Sequence, residues 1–213
     1  MMLSEELYPQ RVFYYFEQIA AIPHGSRNTK AISDFLVNFA KEHNLVWYQD
    51  ENNNVVIVKE ASAGYEAAEP IIIQGHMDMV CEKEKGVDID FEKDGLKLYI
   101  DGDFLKAEGT TLGGDDGIAV AYALALLDSQ EIAHPKLEVV ITVDEEIGML
   151  GADAIDLSML TGHTMLNIDS DVEGSFLTGC AGGMAVNVTL PIKRVMQSGE
   201  KVALTITGLE GGH

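Results

Sequence analysis

Residues 70–80 read "PIIIQGHMDMV". Three isoleucines in succession, bounded by Pro70 and Gly75, predict a short strand buried on both faces. A strand of that kind belongs to a sheet covered by helices. His76 and Asp78 follow at its carboxyl end. Side chains two apart in extended chain point the same way, so Asp78 is placed to orient the His76 imidazole.

Working outward, "KLEVVITV" at 136–143 and "TMLNID" at 164–169 read as two more strands of the buried type. Upstream, 9–21 and 27–43 have helical spacing, the first with a proline in its opening turn. Residues 45–50 and 54–60 read as strands joined by a turn at Glu51 to Asn53. Residues 82–95 are charged and unpatterned, a loop, and 96–107 form a hairpin around Asp101 and Gly102. Residues 115–127 are apolar nearly all round, as in a buried helix. Strands alternating with helices predict an α/β fold, with a mainly parallel central sheet flanked by helices. From Met184 the pattern changes. Residues 184–192 and 201–209 alternate apolar and polar, as half-exposed antiparallel strands do. We therefore expect one large domain at 1–183 and the beginning of a smaller α+β domain at 184–213, truncated at "GLEGGH".

Composition narrows the function classes. The chain has 213 residues, with 35 acidic against 14 basic and a formal net charge of −21. Nucleic acid and anionic membranes need cationic surface, so neither is expected as a partner. No stretch of 18 apolar residues predicts a membrane span, and "MMLSEELYPQ" lacks the basic and apolar regions of a signal peptide. Cys81 and Cys180 stand far apart in no CxxC pattern, which argues against a disulfide framework or a zinc finger. A cytoplasmic location fits these features.

The charges that matter are those enclosed by apolar sequence. In an open α/β sheet, sites form at the carboxyl ends of the strands. The first strand ends in His76 and Asp78, the second in Asp144, Glu145 and Glu146, and the third in Asp169. The stretch "TTLGGDDGIA" at 110–119 puts Asp115 and Asp116 at the amino end of the buried helix. Each piece alone has a plain explanation: a helix cap for Asp115 and Asp116, a solvated turn for Glu145 and Glu146. Together on one rim, these carboxylates would repel one another by several kcal/mol or be forced to protonate. A pair of divalent ions removes that conflict. One carboxylate of the aspartate pair can then bridge two metals while the other serves the helix end or a neighbouring group. Histidine and carboxylate donors without thiolate suit Zn²⁺, with Mn²⁺ or Co²⁺ as alternatives. Two such ions about 3.5–4 Å apart polarise a carbonyl and activate water.

At these residues the sequence resembles the two-zinc exopeptidases of the aminoacylase and carboxypeptidase type, most of all the bacterial Xaa-His (aminoacyl-histidine) dipeptidases. The likeness covers the whole chain: "IPHGS", "GHMDMV", "TTLGGDDGIA", "TVDEEIGMLGA", "LNIDSD" and "GCAGG" occur in order at suitable spacing. It implies a catalytic domain at 1–183 and a lid domain at 184–213. It implies that His76 and Asp169 bind one zinc, Asp115 bridges to a second through a cis peptide to Asp116, and Glu146 binds the second. It further implies that Asp78 supports His76, that Glu145 is the general base and acid, and that His213 of the lid polarises the scissile carbonyl. In several relatives that histidine comes from the partner subunit, so a homodimer is implied. A last histidine ligand to the second zinc has no counterpart here, nor do the substrate-carboxylate anchors. The 213-residue chain is therefore expected to be inactive by itself.

The function expected is metal-dependent hydrolysis of small peptides, Xaa-His dipeptides first. A tripeptidase and an N-acyl amino acid deacylase share the chemistry. A non-catalytic metal-binding scaffold is the alternative of another class, and an unligated Glu145 argues against it.

Overall fold

The computed structural model describes residues 3–170, 172, 174–179, 187–196 and 198–205. They fall into two units, Met1–Asp171 and Val172–His213.

In the first unit, a 3₁₀ turn at Leu3–Glu5 precedes α1 (Gln10–Ala20) and α2 (Lys30–Glu42). Pro9 sits just ahead of α1, where its missing N–H costs nothing. Both helices bury one stripe, Val12, Tyr15, Phe16 and Ile19 on α1 and Ile32, Leu36 and Phe39 on α2. A five-stranded sheet follows in the order β1-β2-β6-β3-β7. Its strands are β1 (Val46–Gln49), β2 (Val55–Lys59), β3 (Ile71–His76), β6 (Leu137–Thr142) and β7 (Thr164–Asn167). A separate hairpin, β4 (Leu98–Asp101) with β5 (Phe104–Ala107), lies between β3 and α3 (Gly114–Asp128) in the chain.

β3 pairs parallel with both β6 and β7, while β2 is antiparallel to β1 and β6. Four strands thus run one way and β2 runs against them, so the sheet is mostly parallel. The register sets His76 beside Thr142 and Gln74 beside Asn167. The carboxyl ends of β3, β6 and β7 therefore share one rim.

Alternation along β2 and β6 divides the core. Val55, Ile57, Ile73, Val139 and Ile141 pack under α1, α2 and α3, whereas Val56, Val58 and Val140 meet Ile155 and Leu160 on the other face. α3 is buried through Ala119, Val120, Ala123, Leu124 and Leu127. Gly113, at φ 67°, turns the chain into it; a Cβ there would be strained and would lie 2.8 Å from Met79 Sδ.

Three local expectations change. α4 (Leu150–Ala154) is an element the pattern did not suggest, since five residues are too few for a period to show. β7 is exposed along its length, because it is the last strand of the sheet among the described residues. In the second unit, the described residues within 184–192 and 201–209 form no strand. Alternation marks a chain able to pair, and a two-stranded ribbon alone is marginal in water.

Candidate metal centre

The rim is built outward from His76. Its side chain is only 1% exposed. Nδ1 lies 2.9 Å from the carbonyl oxygen of Asp78 and 3.5 Å from Asp78 Oδ1, which fixes the ring on its inner side. Nε2 faces the acids: Asp115 Oδ1 at 3.1 Å, Glu145 Oε2 at 3.8 Å and Asp169 Oδ2 at 3.9 Å. Two groups have donor atoms all within 4.8 Å of one another, His76 with Asp115 and Glu146, and His76 with Glu145 and Asp169. The structure thus brings together His76, Asp78, Asp115, Glu145, Glu146 and Asp169. His213 lies outside the described residues. Glu145, read in the sequence as an unligated base, offers an oxygen within the second group.

Asp115 and Asp116 part company. Both have non-helical backbone angles and the peptide between them is cis. Asp115 presents its carboxylate to the rim, whereas Asp116 is buried and its Oδ2 accepts the backbone N–H of His76 at 3.1 Å. Gly75 makes room for it, since a Cβ there would lie 2.6 Å from that oxygen.

The turn after β6 carries the two glutamates. Asp144 has φ 55°, and its Oδ1 accepts the N–H of Arg27 at 2.6 Å. The N–H of Glu145 donates to Asp78 Oδ1 at 3.1 Å. Buried Asn54 spans the mouth of the turn: its Oδ1 accepts Val143 N–H at 3.0 Å and its amide donates to the Gly151 carbonyl at 3.1 Å. Ser26, Arg27 and Asn54 were not singled out from the sequence. In the sequence "IPHGS" reads as the break between two helices and as part of the resemblance, and Asn54 reads as an ordinary strand residue after a turn.

Electrostatics express the crowding. Burial lowers His76, but Asp78, Asp116 and Glu145 outweigh it and push it up to about 9. Burial raises Asp116 to about 7 despite the opposing imidazole. Glu145, Glu146 and Asp169 are all raised, first by burial and then by neighbouring carboxylates. Asp78 is lowered: burial opposes this, but His76, Ser26 and the Glu145 N–H prevail. Carboxylates held this close around one imidazole offer donors of nitrogen and oxygen type that could hold a divalent cation.

The sequence pattern of peptidase family M20/M25/M40 matches residues 72–189, more than half of the chain. The chain belongs to this peptidase family. A cytosol non-specific dipeptidase of Escherichia coli (strain K12) is 40% identical over 210 residues, which are 98% of this chain and 43% of that protein. The crystal structure of an aminoacylhistidine dipeptidase from Vibrio alginolyticus superposes with a TM-score of 0.78 at 40% identity, covering 80% of this chain and 35% of that one. A tripeptidase from Staphylococcus aureus shares the fold at a TM-score of 0.64 and 24% identity, covering 76% of this chain and 44% of that one. The M20 chain therefore spans less than half the length of each of these relatives. Among the described residues no helix is long and apolar enough to cross a membrane.

Proposed function

We propose that this chain carries most of the metal centre of a peptidase that hydrolyses small peptides, with dipeptides ending in histidine as the leading substrate class. One observation supports the reading above others: the His76 Nε2 and the carboxylates of Asp115, Glu145, Glu146 and Asp169 converge on one rim. His76, Asp115, Glu146 and Asp169 would hold two divalent ions, zinc first and manganese or cobalt as alternatives. When bound, such ions supply Lewis acidity toward a carbonyl oxygen and lower the pKa of water.

The chain's own groups do the rest. Glu145 sits at the rim with its carboxyl raised by burial and by Asp169, Asp78 and Asp115, as suits a group that both takes and returns a proton. It removes a proton from the attacking water and hands it to the leaving amine. Asp78 keeps the His76 ring in place from behind. His213 is proposed to stabilise the oxyanion from the lid domain at 184–213.

Relatives named as a dipeptidase and an aminoacylhistidine dipeptidase support the substrate class. The word "cytosol" in the first name supports a cytoplasmic location. A homodimer through the lid domain belongs to the same reading, with neither nucleic acid nor membrane as a partner. Among the described residues His76 is the one histidine in either donor group. Because the chain also spans less than half the length of the dipeptidases it matches, we propose that the 213-residue chain alone binds metal weakly and is inactive, and that turnover needs the length those relatives have.

The test is hydrolysis by that full-length protein, with added Zn²⁺, of a histidine-ended dipeptide, a tripeptide and an acetylated amino acid. Preference for the first is expected; preference for either of the others moves the reading to a tripeptidase or a deacylase. Glu145→Gln should lower kcat by roughly 10²-fold or more while zinc content stays near wild type. Turnover that survives this change removes Glu145 as the base, and no hydrolysis by the wild type leaves a metal-binding scaffold.

A further inference from the structure

The segment 22–27 does not contribute a donor to the cluster, yet it touches both arms of the rim. Ser26 Oγ donates to Asp78 Oδ2 at 2.8 Å. The other oxygen of that carboxylate, Oδ1, accepts the N–H of Glu145 at 3.1 Å and lies 3.5 Å from His76 Nδ1. One buried carboxylate therefore ties the inner face of the imidazole to the backbone of the glutamate turn. Ser26 holds the oxygen that those two leave unused. Without the hydroxyl, Asp78 can rotate about its Cα–Cβ bond, releasing the Glu145 N–H and withdrawing its charge from the imidazole, whose Nδ1 keeps the Asp78 carbonyl oxygen at 2.9 Å. The segment itself is braced. His24 O accepts Met79 N–H at 3.1 Å, a Cβ on Gly25 would meet Cys81 Sγ at 2.5 Å, and Arg27 N–H reaches Asp144 Oδ1 at 2.6 Å. The hydroxyl is thus delivered from a fixed loop, as an outer-shell partner should be.

We propose that Ser26 is a positioning residue of the metal centre, acting through Asp78 on both the His76 ring and the placement of Glu145; this rests on the roles given to His76 and Glu145 above. Ser26 is half-buried, and threonine is the conservative variant that keeps the hydroxyl.

Two readouts test it. Zinc affinity, by competition with a chromogenic chelator, and kcat and KM are all measured on the full-length protein. Ser26→Ala should weaken zinc binding and lower kcat by roughly tenfold each, the range seen for outer-shell partners, with KM changed less than about twofold. Ser26→Thr should restore both. In an Asp78→Asn background, Ser26→Ala should change zinc affinity by less than about twofold, because partners acting through one group are not additive. The proposal is overturned if Ser26→Ala leaves zinc affinity and kcat unchanged, or if its effect is undiminished beside Asp78→Asn. No hydrolysis by the wild-type full-length protein would instead sink the functional reading, and the zinc-affinity cycle would still judge Ser26.

Discussion

Asp115 has a side chain 70% exposed and 3.1 Å from His76 Nε2, while the next residue, Asp116, is buried against the His76 backbone N–H. Adjacent aspartates at a helix start show in the sequence, and so does a division of labour between them. Which one faces the rim comes only from the resemblance, because a regular helix turns about 100° per residue and this backbone departs from helical angles at both positions. Gly75 is the matching half of the arrangement. A Cβ there would lie 2.6 Å from Asp116 Oδ2 and 3.1 Å from Ala119 Cβ, both on the buried helix α3. Gly75→Ala should therefore displace Asp116, shift His76 and weaken zinc binding by about tenfold or more, measured by chelator competition. Unchanged affinity would mean that the Asp116 contact does not set the position of His76.

The turn after β6 shows what one element does for another. β6 ends at Thr142, and Asn54, just ahead of β2, closes the gap to Gly151 through both ends of its amide. Asn54→Ala should leave Val143 N–H without its partner and destabilise the protein by about 1–3 kcal/mol, read as a lower midpoint in urea. A second polar clamp joins β6 to the segment before β7. Buried Glu138 accepts the N–H groups of Thr161 and Gly162 and pairs with Lys136 at 2.9 Å. Burial raises this carboxyl, but the ammonium and the hydrogen bonds outweigh it and hold it at about 2. A carboxyl lowered by folding stabilises the protein above its ordinary pKa of 4.5, and that contribution fades as pH falls toward 2. The stability gap between wild type and Glu138→Gln should accordingly be widest near neutral pH and shrink between about 4.5 and 2 in pH-dependent denaturation. A gap that stays constant over that window would contradict the clamp. The strands at β3, β6 and β7 were legible because three apolar runs each ended abruptly in acids. Glu138 was not legible as a clamp, since one charge in an apolar run carries no sign of the backbone it will meet.

Across the whole molecule, strand direction does the gathering. Because β3, β6 and β7 run parallel, their carboxyl ends bring residues from positions 76, 145, 146 and 169 to one rim, and α3 adds Asp115 from its amino end. Four carboxylates gathered at this rim concentrate negative potential there, which a divalent ion would relieve. Binding to the folded state alone stabilises by about 2.7 kcal/mol at a hundredfold excess over Kd. For a chain of this length that amounts to a rise in Tm of about 5–10 °C with zinc, which His76→Ala should abolish. The most direct test of the account is anomalous diffraction at the zinc edge from crystals of the zinc-loaded full-length protein. The account predicts peaks in contact with His76, Asp115, Glu146 and Asp169. Zinc bound elsewhere, with these side chains pointing apart, would contradict it.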